Sequence, residues 1–280
     1  MAAAARSAGL RGDSGPLLIS LLALRRATAT FTVRATRDSP GLGRWPQNRR
    51  VTGLAHGMTA VVFDFYGTLT PVSPDVVWAS NAASLAAAFG VPPAALVAVL
   101  DDSFPERITG ALGTVGQTMR VLAERLGVGL TEDQLDEASR IRRARQEAMF
   151  TLRPEALPVI TRLRQRGLLI GLLSDCTCEL PDAWSRLPLS GLVDAAVFSC
   201  VEGTRKPDPR LFLSVAARLP ADPARCLYVG DGGGQELTGA TAVGMRAVLL
   251  AGPDWQQSRI RGAETGWTGP RIASLTELSS

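Results

Sequence analysis

The chain has 280 residues, 46% of them hydrophobic, enough to bury one substantial core or a core with a subdomain. Its basic excess is local: residues 1–57 carry nine Arg against Asp13 and Asp38, a net of +7, while 21 basic against 24 acidic residues leave the remainder at −3. That distribution speaks against a nucleic-acid surface on the globular part, and a single histidine, His56, excludes Ser-His and Cys-His catalysis from everything after it.

Taken in order, the first 57 residues contain no run approaching the roughly 18 apolar residues of a membrane span. The longest apolar run, 17–24, stops at Arg25 and Arg26, and Ala27-Thr28-Ala29 only faintly resembles a signal-peptidase site. The favoured reading is a basic, disordered extension ahead of a true start at Met58; an expressed tail and an Arg-rich targeting peptide are the alternatives. The protein is expected in the cytoplasm.

From Met58 the apolar run 60–65 reads as a buried strand that carries Asp64 at its end and passes into Tyr66-Gly67-Thr68. Residues 74–152 hold no strand-like run, only helical patterns at 76–89, 92–100, 106–126 and 131–150. The last opens on a capping box, Thr131-Glu-Asp-Gln134. Strand and helix then alternate: helix 154–166, strand 168–173 ending at Ser174-Asp175, helix 181–187, strand 192–199, and helix 209–219. In that helix Asp208 serves as N-cap and Pro209 takes the first position. Strand 226–229 closes on Gly230-Asp231, helix 235–243 follows, and 246–250 is a fifth strand. The stretch 251–280 reads as loop with a short helix near 272–278.

This order predicts an α/β fold, a Rossmann-like parallel sheet core with an inserted α-helical cap subdomain. The core takes 58–73 and 153–252, the cap 74–152, and 253–280 is a C-terminal tail. Helices inserted straight after the first strand would cover that strand's carboxyl end, where open α/β sheets bind ligands. The cysteines, Cys176, Cys178, Cys200 and Cys226, form no CxxC pair and have no histidine near them, so reduced structural thiols are expected rather than a zinc site.

Four features fall at four strand ends: Asp64-Phe-Tyr-Gly-Thr-Leu69, Ser174, Lys206-Pro-Asp-Pro209, and Gly230-Asp231-Gly-Gly-Gly-Gln-Glu236. A carboxylate that ends a fully apolar strand is costly unless partnered or used. The others have plainer readings one by one: Ser174 as a turn residue, Lys206 as a solvated loop lysine, Glu236 as a first-turn acid favoured by the helix dipole. As an ordered set they resemble the motifs of the haloacid dehalogenase-like (HAD) superfamily, over about residues 60–250.

The resemblance implies a hydrolase with Asp64 as covalent nucleophile. It also implies Mg²⁺ held by Asp64, Asp231 and the Tyr66 carbonyl, in keeping with that ion's preference for oxygen ligands. Ser174, Lys206 and Gly67 would bind the transferred group, with Glu236 and Thr68 in support behind them. Such transfer is mostly positioning and charge stabilisation.

Tyr66 departs from the phosphatase pattern, which has a second Asp there as general acid, and matches the dehalogenase pattern instead. The acidic pair Asp231 and Glu236 points back toward a cation. The readings are therefore Mg²⁺-dependent hydrolysis of a small phosphorylated metabolite, a 2-haloacid dehalogenase-type reaction, or a catalytically weak relative that binds a phosphorylated ligand. The expected partner is a small-molecule substrate, with no nucleic acid and no membrane. Trp78, Arg107 and Arg120 are the cap residues offered for the pocket roof, and nothing in the sequence speaks to oligomeric state.

Overall fold

The structure, a computed structural model, describes residues 53–255, 262–264 and 266–278. Its sheet is parallel, with strand order β3-β2-β1-β4-β5-β6. The strands are β1 (Ala60–Phe63), β2 (Leu169–Ser174), β3 (Ala195–Phe198), β4 (Cys226–Gly230), β5 (Arg246–Leu250) and β6 (Arg271–Ile272). β1 lies between β2 and β4, with Val62 opposite Gly171 on one side and Tyr228 on the other. A parallel strand in that place is covered on both faces, and every residue of β1 is buried. Val61 and Phe63 pack into one apolar cluster with Ile160 and Leu163. Ala60 and Val62 pack into the other with Phe212, Val215 and Tyr228, as the two-residue repeat of a strand requires.

Helices α6 (Ala156–Gln165), α9 (Pro209–Arg218) and α10 (Glu236–Ala242) supply much of that cover, and the short α7 (Glu179–Ala183) and α8 (Ser199–Glu202) lie between α6 and α9 in the chain. The Asp208 cap forms as its spacing predicts, its carboxylate accepting the Arg210 N–H at 2.9 Å. Between β1 and β2 stand α1 (Asp75–Phe89), α2 (Pro93–Asp102), α3 (Phe104–Ile108), α4 (Val115–Leu126) and α5 (Glu132–Glu147). They have an apolar core of their own, including Leu85, Phe89, Leu96, Met119 and Leu122. The helix expected at 106–126 is two helices. Gly110 and Gly113 take positive φ between them, and Thr114 opens α4 with a reciprocal capping box to Gln117. The Thr131–Gln134 box at the start of α5 is present. No helix among the described residues is long and apolar enough to cross a membrane.

Two boundaries move. Leu54 and Ala55 are buried in the core, and Arg246 donates to the Leu54 carbonyl at 3.1 Å. The folded body therefore reaches back at least to these residues rather than beginning at Met58; residues 1–52 lie outside the described ones. The stretch from 253 is also more than a tail. Arg271–Ile272 adds an edge strand beside β5, Leu275 and Leu278 are buried, and Glu264 caps α10 by accepting the N–H groups of Leu237 and Thr238 at 2.7 and 3.1 Å. A two-residue strand is too short to leave a periodic signal.

Candidate active site

Asp64 follows β1 directly, its N–H still bonded to the Val229 carbonyl of β4 at 2.9 Å. Pairing with a neighbour on each side therefore fixes where the carboxylate emerges. The chain then turns through Phe65–Leu69, closed by the Thr70 N–H on the Phe65 carbonyl at 3.0 Å. The turn works only with glycine at 67. There φ is +77°, and a Cβ would stand 2.2 Å from Asp231 Oδ2, so the two loops meet through a missing side chain.

Lys206 joins the loops electrostatically. Its Nζ donates to Asp64 Oδ1 and to Glu236 Oε2, each at 2.5 Å. Glu236 Oε2 also accepts the Tyr228 hydroxyl at 2.7 Å, and Oε1 accepts the Gly232 N–H at 2.9 Å. Both Glu236 oxygens are thus engaged by protein groups. Asp231 Oδ1 accepts the Gly233 N–H at 2.8 Å. One carboxylate oxygen from each of Asp64, Asp231 and Glu236 lies within 4.8 Å of the others, and all three residues are buried.

The charges do not balance. Burial pushes the Asp64 carboxyl up to about 7, with Lys206 pulling it down and Glu236 pushing it up. Burial, then Glu236 and Asp64, hold Asp231 well above the carboxylate range. Lys206 feels the same burial, which alone would favour the neutral amine, but Asp64 and Glu236 outweigh it and keep the ammonium charged. Three carboxylates against one ammonium make a cluster that a divalent cation with oxygen preference fits.

Ser174 ends β2 fully buried, its hydroxyl making only a long 3.5 Å contact to the Asp175 carbonyl. Thr68 Oγ1 is buried with no hydrogen-bond partner. The structure thus brings Asp64, Lys206, Asp231 and Glu236 into direct or near contact, with Gly67 against Asp231. Tyr66 turns its side chain elsewhere. Its ring packs edge-on against Phe65 at 5.0 Å between centroids, and its hydroxyl accepts from Gln146 of the cap at 2.9 Å. Burial, then the neighbouring Cys176, raises its pKa well above 10.

Of the cap residues offered for the roof, Arg120 is exposed and paired with Glu132, and Trp78 is 48% exposed. Arg107 is buried but anchored within the cap, Nη2 to the Leu100 carbonyl and Nε to Ser103. Arg142, on α5 of the cap, does reach the core: its Nε donates to Glu179 Oε1 at 2.5 Å. Glu179 lies on α7 (Glu179–Ala183).

Other supporting residues were not read from the sequence. Asp175 accepts the Lys206 N–H at 3.0 Å. Arg153 donates to the carbonyls of Thr68 and Gly67, both at 3.0 Å, and pairs with Asp254. The Trp255 indole N–H donates to the Asp231 carbonyl at 2.7 Å. Asp175 directly follows a motif residue and was within reach of the sequence; Arg153 and Trp255 act across more than 20 residues and carry no local pattern. The four cysteines are free thiols, with Cys176 Sγ 3.9 Å from Cys200 Sγ.

Several known proteins resemble this chain. A mouse protein called haloacid dehalogenase-like hydrolase domain-containing protein 3 is 35% identical over 98 residues, 35% of this chain and 39% of its own length. The phosphoserine phosphatase of Thermus thermophilus is 34% identical over 111 residues, 38% of this chain and 43% of its own. These matches span about two-fifths of the relatives' length. Among solved structures, a 2-haloacid dehalogenase from Pseudomonas syringae aligns with a TM-score of 0.59 at 24% identity, covering 79% of this chain and 96% of that one. A HAD phosphatase from Thermococcus onnurineus aligns with a TM-score of 0.53 at 21% identity, over 79% and 96%. At such identities the structures speak to fold alone. The model of the haloacid dehalogenase-like hydrolases matches residues 58–244, well over half of the chain, and agrees with the parallel sheet and the cluster at its edge: the chain belongs to the haloacid dehalogenase-like hydrolases.

Proposed function

We propose that this hydrolase cleaves a small phosphorylated metabolite in a Mg²⁺-dependent reaction, through an aspartyl intermediate on Asp64. The observation that carries the reading is the buried excess of carboxylate around a single ammonium, Lys206. Asp64, Asp231 and the Tyr66 carbonyl would hold the cation. When bound, Mg²⁺ supplies positive charge against the carboxylates and against the charge on the phosphoryl oxygens.

The chain's own groups do the rest. Lys206 grips Asp64 Oδ1, which leaves Oδ2 to attack phosphorus; a new P–O bond forms to Asp64 as the bond to the departing oxygen breaks. Lys206 and Ser174 hold the transferring group and offset its charge. Water then attacks phosphorus, releases inorganic phosphate and restores the Asp64 carboxylate. Glu236, bound by Lys206, Tyr228 and Gly232, fixes the lysine from behind.

A second reading is favoured by Tyr66, which stands where an acid would protonate an alkoxide. Loss of general acid catalysis typically costs about 10²- to 10⁴-fold. The phosphatase reading therefore expects alkyl phosphates to be poor substrates and aryl or acyl phosphates better ones. A halide needs no proton to leave, so a 2-haloacid dehalogenase-type reaction suits the same residue.

A screen of phosphate esters and 2-haloacids, with Mg²⁺ or EDTA, separates these readings, with Asp64→Asn as control. Phosphate release that EDTA abolishes, reduced about 10⁴-fold or more in the control, supports the proposal. Halide release indifferent to EDTA would replace it with the second reading. Tight binding of a phosphorylated ligand without turnover by either enzyme form would mark a binding protein.

A further inference from the structure

The four thiols are not equivalent. Cys226 is buried on β4, and burial pushes it up to about 11. Cys178 packs against the cap's apolar cluster, and burial, then Glu179, pushes it up to about 12. Cys176 and Cys200 form a pair, with sulfurs 3.9 Å apart. Cys176 is only 2% exposed, whereas Cys200 is half-buried on α8, where the next residue, Val201, is 65% exposed. A small oxidant can therefore reach one sulfur of the pair and not the other. The contact with Cys176 holds the Cys200 thiol below its ordinary value against the effect of burial, while burial keeps Cys176 well above its own. Access and nucleophilicity coincide at Cys200.

The pair also sits at a junction. Cys176 follows Ser174 and Asp175, and Asp175 accepts the Lys206 N–H at 3.0 Å. The Cys176 N–H donates to Ser199 Oγ at 2.9 Å, and that hydroxyl donates to the Ile108 carbonyl of the cap at 2.6 Å. A Cβ on Gly110 would collide with the Cys200 carbonyl, so a cap loop rests on the backbone of this residue. A disulfide holds its sulfurs about 2 Å apart, so closing the pair must draw the two segments together. Close packing passes such a movement to the neighbours, and Asp175, adjacent to Cys176, carries it to the Lys206 backbone.

We propose that Cys200 and Cys176 form a site of reversible oxidation by hydroperoxides, and that its closure loosens the Asp175 anchor of Lys206 and lowers turnover. The Cys200 thiolate attacks hydrogen peroxide: an S–O bond forms, the O–O bond breaks, and hydroxide leaves as water with the proton the thiol had released. The Cys176 sulfur then attacks the Cys200 sulfenic acid: the S–S bond forms, the S–O bond breaks, and a second water leaves with the Cys176 proton. The two thiols give up two electrons, which the peroxide accepts, and a dithiol such as dithiothreitol reverses the closure by exchange. The oxidation itself goes beyond the hydrolase reading; only the loss of turnover rests on it.

The test starts from the reduced full chain, treated with hydrogen peroxide and then alkylated. Intact mass should show two of the four thiols lost, and both recovered by dithiothreitol. Fragmentation should place the bridge between Cys176 and Cys200, and Cys178→Ser should still form it. In Cys176→Ser, dimedone, which traps sulfenic acids, should label Cys200; in Cys200→Ser, no adduct should form at Cys176. Four intact thiols, a bridge through Cys178 in the wild type, or a loss that dithiothreitol does not restore overturns the proposal.

Turnover and amide exchange read the coupling to Lys206 separately. With Mg²⁺ and 4-nitrophenyl phosphate, the oxidised wild type should lose about tenfold in kcat and regain it on reduction, while Cys200→Ser keeps its rate through the same treatment. Hydrogen–deuterium exchange in the segment that carries Lys206 should quicken on oxidation. An unchanged rate in an active enzyme, or unchanged exchange, overturns the coupling. If the reduced wild type hydrolyses no phosphate ester, the phosphohydrolase reading falls, and the thiol count and the exchange still decide this proposal.

Discussion

Core and cap handle charge in opposite ways. In the core, Lys206, Asp64 and Glu236 are buried, with Lys206 bonded to both carboxylates and Asp231 beside them. In the cap, Arg120–Glu132, Arg125–Glu106 and Arg140–Glu137 lie at the surface, where such pairs contribute little. Buried polar contacts join the cap to the core at two places: Arg142 to Glu179 and Gln146 to Tyr66 from α5, and the Ser199 hydroxyl on the Ile108 carbonyl at the end of α3. The core is thus built to hold a fixed charge pattern, and the cap to present a shape with a narrow polar foot.

That contrast can be attacked at its strongest point first. Lys206→Met leaves Asp64 and Glu236 buried without their cation and should cost about 3–5 kcal/mol, read as a fall in thermal midpoint at pH 8 without added metal. A change too small to measure would mean that the core cluster is no more tightly coupled than a surface pair.

Next comes the foot of the cap. Arg142→Met strands Glu179, which is only 4% exposed in its side chain, and should cost about 3 kcal/mol. Burial alone would raise the Glu179 pKa, but Arg142 outweighs it and holds the carboxyl below its ordinary value. The stabilisation is therefore present above the unfolded pKa and disappears as pH falls through the folded one. The deficit of the variant relative to wild type should accordingly shrink on acidification.

The third test uses the raised carboxyl of Asp64. Its pKa goes from 3.8 to about 7 on folding, so the native state holds the proton more tightly. Its contribution is favourable at low pH and is lost as pH rises from about 4 through about 7. In EDTA, the thermal midpoint of Asp64→Asn should gain on wild type between pH 5 and pH 8, and Mg²⁺ should narrow the gap at pH 8. A gap that stays constant would contradict the charge account. Smallest of all, Arg120→Ala in the exposed pair should leave the thermal midpoint unchanged; a clear drop would show that the cap surface matters as the core does.

How much the sequence reveals follows the same division. Asp64 and Asp231 stand out because a charge at the end of an apolar run is a contrast that burial must explain. Lys206 and Ser174 gain meaning only as members of an ordered set. Gln146 and Arg142 sit in the run Arg140-Ile-Arg-Arg-Ala-Arg-Gln146, where four arginines look alike and only helical phase with Leu135 and Ala138 separates the buried ones. The break between α3 and α4 was available in Gly110, Gly113 and the Thr114–Gln117 box, yet the longer apolar pattern masked it. Arg153, Trp255 and β6 depend on contacts between distant segments, which no local pattern encodes.

The segment after residue 252 carries a consequence of its own. Trp255 holds the backbone of Asp231 from outside, and Glu264 sits on the first turn of the helix that bears Glu236. The acidic loop is braced by chain that arrives after the last motif has passed. Trimming the protein at residue 252 to tidy a loose end would therefore act like a substitution in the acidic loop itself, loosening Asp231 and the first turn of α10 before it disturbs the sheet.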